Sequence, residues 1–216
     1  MKIFDAESPL MSGLSRITDL ILLNLVVLAC CLPVITIGAA MTGMHYVLLK
    51  MVRDEEGYVV RAYFKSFREN FRQATILWGI YLLFGLVVYM DLALTGPSAA
   101  GGLQLPAPLR YLIMGGGIFV TLVYLYVFPL LSRFSNTVGE TLANAARLVP
   151  AAFPRTFAMA LVTLAFPAAV RIMPVLFPVE ILLGLTGPGF LCALIYDPVF
   201  RRIEDRIRGT SAQDDL

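Results

Sequence analysis

Hydrophobic positions in this chain are gathered into long runs with almost no charge, and short polar stretches separate these runs. A transmembrane helix needs about 20 mostly apolar residues. Runs that meet this requirement lie at about 14–32, 35–52, 74–94, 110–131, 156–171 and 175–196. They predict an all-α, polytopic helical membrane protein with six transmembrane helices arranged as three hairpins and with amphipathic cytoplasmic helices.

Prolines decide where two of the longest runs divide. The run from Ile17 to Leu49 would be roughly 50 Å long as one helix, whereas a hydrocarbon layer is about 30 Å thick. Pro33, in the stretch LPVITIG, therefore predicts a turn between the first and second spans. Pro174 and Pro178 divide the last apolar region in the same way.

The overall composition agrees with a membrane location. Hydrophobic residues make up 58% of the chain and charged residues 15%, and the mean hydropathy is +0.78. Soluble domains contain roughly 45–50% apolar and about 25% charged residues. The apolar excess is too large for one soluble core, so the lipid bilayer is the first expected partner.

The distribution of basic residues predicts the orientation of the spans, because Lys and Arg concentrate in cytoplasmic loops. With six spans and both termini inside, 15 of the 17 basic residues are cytoplasmic, and only Arg110 and Arg171 are outside. A five-span model, in which the first run crosses once, places 13 inside and 4 outside. The charges favour six spans with both termini in the cytoplasm and a cytoplasmic tail at 197–216, and they leave five spans open.

The segment 59–73, just before the third span, carries two stripes when it is projected on a helix. The basic stripe consists of Arg61, Lys65, Arg68 and Arg72, and the aromatic stripe of Phe64, Phe67 and Phe71. The stripes lie about 100° apart on a helix with 100° per residue. This pattern predicts an interfacial cytoplasmic helix whose aromatic rings reach the acyl chains and whose basic groups meet anionic lipid headgroups. A docking surface for a cytoplasmic protein is the alternative.

Four polar residues inside or beside the spans are candidates for a functional role, because such residues are costly in lipid. Asn24 is expected to make a hydrogen bond between helices. His45 is the only histidine, and both packing against a neighbouring helix and proton or substrate handling are open for it. Arg171 and Glu180 lie near span ends, where they either reach the interface or line the mouth of an outer cavity.

Motifs for catalysis and for cofactor binding do not occur in the sequence. It contains no GxGxxG or P-loop pattern, no GxSxG elbow and no HExxH pair. Cys30, Cys31 and Cys192 all fall in apolar runs without disulfide or metal-type spacing. We therefore expect no enzyme activity, no catalytic residue, no cofactor, no metal and no nucleic-acid partner, while a homo-oligomer stays open.

Two stretches carry a resemblance to a known family. They are SRITDLILLNLVVLACCLPVITIGAAMTGMHYVLLKMVRDEEGYVVRAYFKSFRENFRQATILW, at about 15–78, and FPLLSRFSNTVGETLANAARLVPAAFPRTF. They resemble the YesL family of bacterial integral membrane proteins, a domain of unknown function. Such proteins are commonly encoded beside carbohydrate ABC importers, so the resemblance implies an accessory or assembly component of such an importer. The family has no agreed catalytic or ligand residues that would transfer to this chain.

Two other functions are alternatives to the accessory role. A divergent permease subunit would carry a cytoplasmic coupling loop, and ETLANAARLVPAAFP has Glu140 and several alanines but lacks the later glycine. A small independent transporter or channel would bring polar residues together near mid-membrane on broken helices. Asn24 and His45 are few polar residues for such a site.

Overall fold

The computed structural model describes residues 9–55, 57–95 and 106–214, and these ranges contain helices and no β-strand. The helices are α1 (Pro9–Cys31), α2 (Ile37–Val52), α3 (Val59–Thr95), α4 (Ala107–Arg133), α5 (Val138–Ala151), α6 (Phe153–Ile172), α7 (Phe177–Leu183) and α8 (Thr186–Asp214). Short 3-10 turns at Val34–Thr36 and Pro174–Leu176 precede α2 and α7. Lys2, counted above as cytoplasmic, the connection 96–105 and the last two residues of the predicted tail lie outside the described residues.

Helices that are long and apolar enough to cross a membrane dominate the structure. There are five of them in the described ranges, or six if the bent pair α7 and α8 forms one span. The predicted all-α membrane fold is therefore confirmed. The order of the three hairpins and the cytoplasmic location of the termini stay predictions.

Helix α2 is the centre of the bundle. Over its best apolar window 56% of the residues are buried, compared with 17% for α1 and 11% for α3. It contacts α1, α3, α4 and α8. A helix that packs on four neighbours needs small residues where they approach most closely.

Two glycines of α2 provide this close approach to α3. A Cβ atom added to Gly38 would overlap the Ala74 carbonyl oxygen and would lie 2.8 Å from Cβ of Trp78. A Cβ atom on Gly43 would lie 3.0 Å from ring atoms of Tyr63, which is completely buried. Larger residues at either position would push the two helices apart.

Helix α3 joins two segments that the sequence treats as different elements. The basic and aromatic segment 59–73 continues without a break into the apolar run 74–94, giving one helix of 37 residues. At 1.5 Å per residue this helix is about 55 Å long, whereas the hydrocarbon layer is about 30 Å thick. The charged first four turns therefore need not enter hydrocarbon.

The predicted sixth span, at 175–196, corresponds to two helices rather than one. Helices α7 and α8 meet at an angle of 64°. Gly184 lies in the break, and Pro188 lies in the first turn of α8, where its missing N–H costs no helical hydrogen bond. Helix α8 also continues well beyond 196, to Asp214.

Helix α5 packs on α4 through one face, with Thr141, Ala145 and Val149 buried at a spacing of four residues. Its first turn is closed by a capping box. The backbone N–H of Thr137 donates to Glu140 Oε2 at 2.8 Å, and the N–H of Glu140 donates to Thr137 Oγ1 at 3.3 Å. This cap fixes the direction in which the chain leaves the end of α4.

Candidate functional site

The break between α7 and α8 is closed by one buried side chain of α1. The Asn24 amide nitrogen donates to the Ile181 carbonyl oxygen at 2.8 Å, and its Oδ1 accepts from the backbone N–H groups of Leu185 and Thr186, both at 3.1 Å. The Thr186 hydroxyl also donates to the Leu20 carbonyl at 3.0 Å. Asn24 and Thr186 are both fully buried. We call this group the Asn24 clasp.

The clasp explains how a broken helix is tolerated in an apolar bundle. Backbone groups freed by a helix break are costly in a membrane unless a partner inside the protein satisfies them. An asparagine has both an acceptor oxygen and a donor NH₂ group, so one side chain can serve both sides of the break. The predicted interhelical hydrogen bond of Asn24 is thus present, and its target is backbone.

Two further polar pairs lie in the apolar core. The Tyr196 hydroxyl lies 3.3 Å from Nδ1 of His45, and both side chains are buried. The Tyr126 hydroxyl lies 2.9 Å from Oγ1 of Thr156. His45 thus has a neighbour on α8, and proton or substrate handling by this residue stays a hypothesis. No group of three or more His, Cys, Asp or Glu side chains suited to a metal ion occurs in the described residues.

Arg171 and Glu180 are not brought together by the fold. Arg171 is exposed at the end of α6, and Glu180 is half-buried on α7. In the described ranges no ion pair joins them. Glu180 instead lies next to the clasp, since Ile181 bonds to Asn24.

A network of charges that the sequence did not reveal joins the C-terminal ends of α2 and α4 to the middle of α8. Arg53 Nε lies 2.6 Å from Asp197 Oδ1, and its terminal nitrogens lie 3.1 Å from the two carboxylate oxygens of Glu204. Arg133 Nε contacts Glu204 at 2.8 Å, and Arg201 Nε contacts Asp197 at 2.7 Å. We call these five residues the Arg53 network.

Arg53 is not a solvated surface residue, although it stands in a charged turn directly after α2. Its side chain is only 9% exposed, because it points back between α2 and α8. Burial alone lowers the pKa of Arg53, but hydrogen bonds to Glu204 and Asp197 and their negative charge outweigh it and raise the pKa above its ordinary value. The guanidinium is therefore held permanently charged in a half-enclosed site. Asp197 and Arg201, four residues apart on α8, were the only local hint of this network.

The basic stripe of α3 has the opposite character. Arg61, Lys65, Arg68 and Arg72 are all exposed. None of them makes a hydrogen bond or an ion pair with another residue in the described part of the chain. The stripe is a row of positive charge without internal partners.

The aromatic stripe on the same segment is largely used in packing. Tyr63 lies under Gly43 of α2, and its ring centre is 5.3 Å from that of Phe64. The ring centres of Phe67 and Phe71 are 5.6 Å apart. Phe64 and Phe67 are half-buried against the core, and Phe71 remains 38% exposed. Phe71 is thus the ring of the stripe that is most available to lipid or to a partner.

A polar cleft of about 590 Å³ lies between this segment and the connection from α4 to α5. We call it the α3–α4 cleft. It is lined by Glu69, Asn70, Arg72, Gln73, Leu131, Ser132, Arg133, Phe134, Ser135, Asn136 and Thr137. The last turn of the basic stripe therefore forms one wall, and the extended connection before α5 forms the other.

Comparison with known proteins gives a family for the first part of the chain. The model of the family described as "Protein of unknown function, DUF624" matches residues 20–92. Over that segment the chain is similar to the DUF624 family. This is the YesL-type family, so the resemblance seen in the sequence is confirmed. The DUF624 segment contains Asn24, His45, Arg53 and the basic stripe, but the partners of Asn24 and Arg53 on α7 and α8 lie beyond it.

One curated relative is "Uncharacterized protein YteU" of Bacillus subtilis (strain 168), which is 31% identical over 105 residues. The alignment covers 48% of this chain and 45% of the relative, so it spans less than half the length of the curated protein it matches. No solved structure matches the chain.

Proposed function

We propose that this chain is a non-enzymatic integral protein of the bacterial cytoplasmic membrane, with both termini in the cytoplasm. Its role is that of an accessory or assembly component associated with a carbohydrate ABC importer. The association with an importer is inferred from the YesL-type resemblance alone. The observation that carries a docking role is the basic stripe of α3, four exposed positive charges without partners among the described residues.

The state of the buried polar groups supports a docking role over transport. In the apolar core, Asn24 bonds to backbone at a helix break, His45 contacts Tyr196, and Tyr126 contacts Thr156. Each of these contacts joins two helices of the bundle. A substrate path needs polar groups that are available to the substrate, whereas these are occupied by one another.

The test is affinity purification of the full chain from its native membrane in mild detergent, followed by identification of co-purifying proteins. The same purification is made with Arg61, Lys65, Arg68 and Arg72 changed to Gln. A control variant carries the same loss of charge at Arg147, Arg155, Arg202 and Arg208. Importer subunits should co-purify with the native chain and the control, and should be lost with the stripe variant. Purification of the native chain without importer subunits would refute the proposal.

One observation favours a second candidate, a small independent transporter or channel. Transporters bind their substrates at discontinuous helices, and α7 and α8 are discontinuous beside Asn24. If the chain is a transporter, uptake of sugars or ions into liposomes that contain it should depend on Asn24, Glu180 and His45. A divergent permease subunit would instead need the importer's ATPase for such uptake.

A further inference from the structure

The α3–α4 cleft lies at the point where two membrane helices change from apolar to charged. Helix α3 carries no charged residue between Arg72 and Asp91, and α4 carries none between Arg110 and Arg133. The cleft lies at Arg72 and Arg133, the ends of these uncharged stretches that face each other. A bilayer places its phosphate groups just outside the hydrocarbon layer, so the cleft opens at headgroup depth.

Several polar side chains of the cleft have no partner inside the protein. In the part of the chain that the structure describes, no hydrogen bond or ion pair engages the side chains of Glu69, Arg72, Gln73, Ser135 and Asn136. By contrast, Arg133 is held by Glu204. The free set contains one cation, two amides, a hydroxyl and one carboxylate, which together suit an anion that also carries hydroxyl groups.

An apolar strip continues from the cleft along the same face of α3. Ile76, Ile80 and Leu83 follow Arg72 at helical spacing, and all lie within about 80° of it around the axis at 100° per residue. These three side chains are 45%, 40% and 65% exposed, respectively. A polar cleft at headgroup depth with an exposed apolar strip beside it matches the two parts of a phospholipid.

We propose that the α3–α4 cleft binds the headgroup of an anionic phospholipid that carries hydroxyl groups, such as a phosphatidylglycerol. Arg72 meets the phosphate, and the amides of Gln73 and Asn136 donate to its oxygens. Glu69 accepts from a headgroup hydroxyl, and one acyl chain lies along Ile76 and Leu83. A lipid is favoured over an acidic protein segment because an acyl chain can cover the apolar strip, whereas a polar peptide cannot.

Native mass spectrometry of the full chain in detergent tests this site. The protein is titrated with dioleoyl phosphatidylglycerol, with dioleoyl phosphatidylcholine and with glycerol 3-phosphate. Phosphatidylglycerol should be retained at least about tenfold more tightly than phosphatidylcholine. Phosphatidylcholine has a phosphate but no headgroup hydroxyl for Glu69, and the loss of one charge-assisted hydrogen bond corresponds to about that factor. Glycerol 3-phosphate should bind far more weakly, because it lacks the acyl chains.

Variants show whether the lipid occupies this cleft. Arg72→Gln should weaken retention of phosphatidylglycerol about tenfold, whereas Arg61→Gln, with the same change three turns away on the same face, should leave it unchanged. Asn136→Ala alters the opposite wall without changing charge and should weaken retention several-fold. Because Asn136 is not part of the basic stripe, this variant should still co-purify any importer subunits, which separates the lipid site from the docking proposal. The Tm of each variant in detergent should equal that of the native chain, so that a loss of lipid is not a loss of folding.

Four results would overturn the lipid site. One is equal retention of the two phospholipids, and another is an equal loss in Arg61→Gln and Arg72→Gln, which would mean general attraction to positive charge. The third is binding of glycerol 3-phosphate as tight as that of the lipid, which would make the cleft a site for a soluble phosphate. If Asn136→Ala loses a protein partner and keeps its lipid, the cleft belongs to the docking surface.

Discussion

Two polar regions of this protein differ in how their hydrogen-bonding groups are used. In the Asn24 clasp and the Arg53 network, side chains bond to groups on helices distant in sequence and are largely enclosed by them. The basic stripe and the free set of the α3–α4 cleft consist of exposed or half-buried side chains that bond to nothing in the described chain. Polar groups of the first kind hold the helices together, and those of the second kind are available to lipid or to a partner. Mutations should separate the two kinds by their effect on stability.

The largest effect is expected from Arg53→Met. Removal of one partner from a buried ion pair typically costs about 3 kcal/mol, because the remaining charge stays buried with less compensation. Asp197 would keep only Arg201, and Glu204 only Arg133. Thermal unfolding in detergent, followed by circular dichroism, measures the loss.

A triple variant serves as the control for Arg53. When Asp197→Asn and Glu204→Gln are added to Arg53→Met, no buried carboxylate remains charged. Arg133 and Arg201 lose their partners, but they are 30% and 56% exposed and keep contact with water, so part of the stability should return. If the single variant melts at the native temperature, the network does not stabilise the bundle.

Asn24→Ala should follow, with a loss of about 2 kcal/mol. Three hydrogen bonds to the helix break are removed together, and single bonds between membrane helices are worth roughly 0.6 kcal/mol on average. Asn70→Ala is the matched control, because Asn70 bonds only to Ser66 on its own helix. Equal melting temperatures for the two variants would contradict a clasp at Asn24.

Neutralising the basic stripe should change stability little. Exposed side chains without internal partners contribute within about 0.5 kcal/mol each, so the four-residue Gln variant should melt close to the native chain. Its effect should fall on binding alone. A clear drop in Tm would show that the stripe stabilises the bundle, as the Asn24 clasp and the Arg53 network do. The two polar regions would then not differ in the way described.

The smallest effect on stability is expected from the capping box of α5, whose hydrogen bonds lie at the surface of the protein. Hydrogen bonds from the backbone and side chain of Thr137 lower the pKa of Glu140 below its ordinary value of about 4.3. The cap therefore contributes fully above that value and is lost as the pH falls through the lowered pKa. The small difference in Tm between the native chain and Glu140→Gln should shrink between pH 7 and pH 3. A difference that grows on acidification would contradict this assignment.

The sequence was sufficient for features that depend on local pattern. Apolar run lengths predicted the membrane helices, and Pro33 predicted the turn before α2. These predictions succeed because the requirements of a lipid environment apply residue by residue along the chain.

Features that depend on which helices pack together were beyond the sequence. Arg53 meets Asp197 across 144 positions, and a charged turn after α2 gives no indication of such a partner. Asn24 was expected to bond to another helix, but its target is a backbone break whose position depends on Gly184 and on the course of α7. The free polar groups of the α3–α4 cleft likewise come together only when α4 lies against α3.

The central position of α2 also has a consequence for biosynthesis. Arg53 emerges from the ribosome 144 residues before Asp197 and 151 residues before Glu204. Until α8 arrives, the guanidinium has no counter-charge and Asn24 has no helix break to bind. A nascent or truncated chain thus exposes two recognisable polar defects in the bundle, and completion of the last helix removes both. Membrane quality-control proteases should therefore degrade chains that end before residue 197 much faster than chains that include α8.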